Sequence, residues 1–199
     1  MPVKRAALAA GTALLPVGWA LAAAPLGMIG HMAGHMMAVA IVAPLFAYAL
    51  SESHADPARN WPRIVTPMAM MLVELAVIWL WHLPVLRAAA QSSFPLLMVE
   101  QACFLIAGLL LWSAVFHAPQ RAAGIGALLL TSMHMTLLGV LIGLAPRPLY
   151  PGAHHAPAGM DPLIDQQLGG VIMLLVGAAS YFIGGLALLG SLLRQRHIS

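Results

Sequence analysis

The stretch "GMIGHMAGHMM", residues 27 to 37, sets His31 and His35 four residues apart among Met32, Met36 and Met37. Residues four apart share one face of a helix, so two imidazoles could reach one ion. Imidazole suits copper, zinc, iron and nickel, and thioether selects Cu(I). More groups of the same kind follow: Glu74, His82 in "WLWHLP", Glu100, His134 in "MHM" and Asp165. Each also has a plain structural reading. Histidines at a membrane surface bond to headgroups and loops. Methionine fills gaps in apolar cores. Trp79 and Trp81 would make His82 part of an interfacial belt. Asp165 could cap a helix, whose N-terminus favours an anion. Cys103 reads as a small apolar residue, and His154 and His155 as solvated loop residues.

The elements that must carry these groups are apolar. Of 199 residues, 61% are hydrophobic and 8% charged, against about a quarter charged in soluble domains. The fold class is therefore all-α: one polytopic membrane bundle over residues 1–199. A bilayer core takes roughly 20 apolar residues per helix. Six runs qualify, near residues 6–24, 31–50, 64–86, 96–115, 122–144 and 166–192. Residues 1–24 also resemble a secretory signal, with a basic start, an apolar middle and small residues at the end. "SESHADPARNWPR", "APQR" and the Pro/Gly-rich residues 145–162 break the runs. A single cysteine excludes an internal disulfide framework.

The net charge of +3 encodes orientation and gives no sign of nucleic-acid binding. With a cytoplasmic N-terminus, Lys4, Arg5, Arg59, Arg63, Arg121, Arg194 and Arg196 lie inside. Only Arg87 and Arg147 lie outside, which satisfies the positive-inside rule with both termini cytoplasmic.

Orientation then sorts the polar residues. At 1.5 Å per residue, His35, His82 and Glu100 fall about 6–7 Å below the outer surface on three different helices. His31 and Asp165 lie at the rim above them. His134 and Glu74 lie deeper, about 15 and 18 Å from the outer ends of their helices, and form a candidate pair. Ionisable groups in a bilayer are costly, at about 2.5–3.5 kcal/mol each, and face the bundle interior. Their collection in one leaflet points to a metal or cofactor site: His31, His35, His82, His134 and Met36 as ligands, with Glu74, Glu100 and Asp165 orienting imidazole N–H groups. Copper is the expected ion. Heme b held by paired histidines is an alternative, and a bundle with no metal is another. The chain has no HExxH, nucleophile elbow, phosphate-cradling glycine loop or Walker motif, so it reads as a non-enzyme.

"GHMM" at a helix start, "WLWHLP" at a helix end, "PLYP" in a loop and "DQQLGGVIM" opening the last long helix together resemble the CtaG family of cytochrome c oxidase assembly factors. The resemblance runs from about residue 31 to residue 185. It implies a bacterial inner-membrane protein that helps copper reach the CuB centre of heme–copper oxidase. His35, His82, His134 and Asp165 would carry the family's polar signature. Oxidase subunits, membrane lipid and a periplasmic copper donor are the partners it implies. Two departures are visible: members often have seven helices, and many have a histidine where this chain has Gln101.

Overall fold

The computed structural model describes residues 2–150 and 159–196, all helices and connections. His154, His155, His197 and the last residue of "PLYP" lie outside the described residues. Among the described residues, five helices are long and apolar enough to cross a membrane: α1 Pro2–Ala23, α2 Gly27–Leu50, α5 Phe94–Phe116, α6 Arg121–Gly143 and α7 Pro162–Arg194. Between α2 and α5 lie α3 Pro67–Trp81 and α4 Pro84–Ser92, bent by 70° at their junction, which make a sixth span if taken together. The chain is thus a polytopic all-α bundle. Large apolar side chains such as Leu72, Val99, Ile106, Leu137, Leu175 and Ile183 point outward, while ionisable ones within the spans, such as Glu74, Glu100, His134 and Asp165, are buried. That inside-out distribution suits lipid as the surrounding solvent.

The third run departs from the sequence reading, which carries one helix from 64 to 86. Pro84 ends it early. The residue before a proline is pushed out of the α region, and Leu83 has φ −64° and ψ 134°. α3 therefore stops at Trp81, and His82 sits at its C-cap rather than a full turn inside it. Residues 84–92 then form α4, which packs on α5. α7 starts at Pro162, four residues before the expected 166, because Asp161 caps it through the Leu163 amide at 2.8 Å.

α2 and α7 each contain a π-helical turn, at Met37–Val42 and Met173–Gly177. In α2 the cause lies in the sequence. Pro44 has no N–H and its ring clashes with the carbonyl four residues back, that of Ala40. The freed Ala40 carbonyl accepts from Ser180 Oγ of α7 at 2.8 Å. Neighbouring Val39 O accepts from Trp112 Nε1 of α5 at 3.3 Å. The irregular turn thereby ties three helices together.

α1 packs antiparallel on α2, and α3 packs on α5 and α6. Small residues allow the closest approaches. A Cβ on Gly34 would stand 2.5 Å from Gly18 O of α1, and one on Gly170 of α7 would stand 2.6 Å from Gly143 N of α6. Lys4 Nζ donates to Ser51 O at 2.7 Å and joins the start of α1 to the end of α2.

Candidate metal centre

α2 brings two imidazoles to one end of the bundle on one face, and the α3–α4 junction brings a third. His31, His35 and His82 are all buried, and one nitrogen from each lies within 4.8 Å of the other two. The ring centroids of His35 and His82 are 5.1 Å apart, and those of His31 and His82 5.2 Å. Phe104 of α5 stacks on His35 at 4.1 Å and packs against the other two rings.

The hydrogen bonds fix which nitrogens are free. His82 Nδ1 lies 2.6 Å from the Ile78 carbonyl, which only accepts, so Nδ1 carries the hydrogen. His82 Nε2 is therefore a bare lone pair, and it faces His31 Nε2 at 3.4 Å. Two imidazole nitrogens bound to one tetrahedral ion at 2.0–2.1 Å stand roughly 3.3 Å apart. On the far side of His31, Nδ1 is 3.5 Å from Glu100 Oε2. Neither nitrogen of His35 has a partner among the described residues. A buried polar atom without a partner costs about 1–3 kcal/mol, and a metal ion bound by a His35 nitrogen would relieve that cost.

Around the imidazoles lies a shell that sequence reasoning largely missed. Arg87 of α4, sorted there as a surface charge, is 2% exposed and bonds Glu100 Oε2 at 3.1 Å. Tyr150 Oη donates to the His82 carbonyl at 3.1 Å. Burial pushes the Tyr150 phenol up to about 12, so it stays a donor. The signal for Arg87 was its isolation, as one of two basic residues outside. Tyr150 gave no signal beyond its place in "PLYP".

Other expected residues stand elsewhere. Asp165 orients no imidazole: its oxygens accept from the Met28 and Ile29 amides at 2.7 and 3.0 Å. The first amides of a helix have no partner within it, and those of α2 claim this carboxylate. The helix that Asp165 caps is α2, not its own. Met36 is directed toward α7, where its sulfur would stand 3.5 Å from a Cβ on Gly177. Glu74 and His134 do not pair. Glu74 Oε1 accepts from Tyr181 Oη of α7 at 2.6 Å, and both His134 nitrogens lack partners among the described residues. Matching depth did not settle which faces of α3 and α6 meet, and Thr131 is the α6 residue that faces Glu74. Gln101, one of the two departures noted above, is buried with both amide atoms unpartnered among the described residues.

No curated protein and no solved structure matches the chain. One family does: the cytochrome c oxidase caa3 assembly factor matches residues 2–195. With an all-helical membrane bundle, a histidine cluster at one end and a match over nearly its whole length, the chain belongs to the cytochrome c oxidase caa3 assembly factor family.

Proposed function

We propose that the protein carries copper as cargo on His31, His35 and His82 while cytochrome c oxidase is assembled. The observation that carries this reading is the convergence of three buried imidazoles, one of them, His35, unpartnered at both nitrogens. Nitrogen ligands favour copper over the other divalent ions of the first row. Glu100 beside His31 and the Ile78 carbonyl beside His82 would hold those rings in register. The triad lies toward the end of the bundle that the positive-inside rule sets on the periplasmic side of the bacterial inner membrane. A periplasmic donor would load it there, and an oxidase subunit would receive the ion. The family describes assembly and not catalysis, and the protein acts here as a carrier. A heme between His35 and His82 would have to displace Phe104, so the copper reading is preferred.

Metal analysis of the purified protein after copper loading tests this. About one ion per chain is expected from one triad, lost in the double variant His35→Ala with His82→Ala. Wild-type protein that retains no copper would overturn the proposal. So would a double variant that binds as well as wild type. A purely structural bundle would instead lose thermal stability on these substitutions, with no response to copper.

A further inference from the structure

The triad consists of neutral ligands, so an ion bound there brings uncompensated positive charge into a dry bundle. An unmatched charge in such a medium is expensive. The nearest carboxylate, Glu100, is already matched by Arg87 at 3.1 Å. Asp165 is engaged by two backbone amides. Glu74 is different. It is fully buried at mid-bundle, its Oε1 accepts from Tyr181, and its Oε2 has no partner among the described residues.

We infer that Glu74 is the counter-charge for the ion: it holds a proton on Oε2 when the triad is free and releases it when the triad is loaded. The inference rests on the copper reading above. The Oε2–H bond breaks, its electron pair stays on the carboxylate, and the proton goes to bulk water. No oxidation state changes. The groups facing Glu74 suit both states. Tyr181 donates to the carboxyl in either state, and its ring stacks on Trp112 of α5 at 5.6 Å. From α6 come the Thr131 hydroxyl, itself unpartnered, and His134 three residues further along. From α2 comes the Val39 carbonyl, 3.4 Å from Tyr181 Oη. Tyr181 and His134 are the titratable groups in this set, and no Lys, Arg or other acid is among them.

Coupling over this distance is adequate. Glu74 and His82 are eight residues apart on α3, about 12 Å along the axis. A unit charge at about 12 Å and an effective dielectric near 20 weakens proton binding roughly tenfold.

The test uses the full chain in detergent, titrated with Cu(I) and with Cu(II) separately in weakly buffered solution containing a pH indicator. Across a pH series, wild type is expected to release up to about half a proton more per ion than Glu74→Gln, the most that a tenfold coupling allows. Wild type should also bind copper up to about tenfold more tightly than Glu74→Gln at the alkaline end, with the two converging at the acid end. Tyr181→Phe removes a donor that favours the carboxylate, so its release should move to higher pH with the same proton count. Equal proton counts and parallel affinities in wild type and Glu74→Gln, both binding copper, would overturn the inference while leaving the copper site standing. Absence of binding in wild type would overturn both. Should Glu74→Gln fail to fold by size exclusion, an unchanged release profile in Tyr181→Phe overturns the inference.

Discussion

At the scale of single residues, the pocket is held by contacts that are individually expensive to break. Removing one partner of a buried ion pair costs about 3–5 kcal/mol, because the other charge is left unmatched. Arg87→Met or Glu100→Leu alone should lower thermal stability in detergent by that order, and the double variant should recover most of the loss. Full additivity of the two losses would mean that the pair contributes nothing as a pair. Tyr150→Phe leaves the His82 carbonyl without its donor, and should cost about 1–3 kcal/mol in the same assay. The sequence showed His35, His82 and Glu100 as a layer, with His31 at the rim above it, because helical rise converts position into depth. It could not show Arg87 or Tyr150. Both lie outside the apolar runs, and only packing turns them inward.

The elements explain how ligands far apart in sequence meet. α2 supplies two from one face, and the break at Leu83–Pro84 supplies the third. In Pro84→Ala a helical continuation becomes possible, and the His82 carbonyl could then accept from residue 86 in place of Tyr150. Copper affinity should fall although every ligand remains, as measured by competition with a chelator. An unchanged affinity would mean the bend does not position His82. Close helix contacts give a second expectation. Gly34→Leu forces α1 away from α2 and should destabilise by about 1–3 kcal/mol. Gly126→Ala, with nothing within 4 Å of the new Cβ, should be neutral or stabilise slightly. Span number was legible from composition, because lipid tolerates few charges. Span ends were less so where proline or a cap intervened, as at Pro84 and Asp161. The π-helical turns were not legible, since Pro44 within an apolar run is equally compatible with a simple kink.

For the whole molecule, the chain is a bundle whose apolar surface faces outward and whose polar atoms gather inside, most of them toward one end. Six crossings with a cytoplasmic start would return the C-terminus to the same side. A green fluorescent protein fused after the last residue should therefore fluoresce, and alkaline phosphatase fused there should be inactive. The opposite pair of results would reverse the orientation and place the histidines inward. His82 differs from its two companions in how it is anchored. They ride on a single continuous rod, whereas it sits at a corner, its ring held by the Ile78 carbonyl and its own carbonyl by a phenol from a connecting segment. A cluster so built draws its members from two separately held elements. On the carrier reading proposed above, handover would need only the corner to shift, with the rod left undisturbed and nothing unfolded.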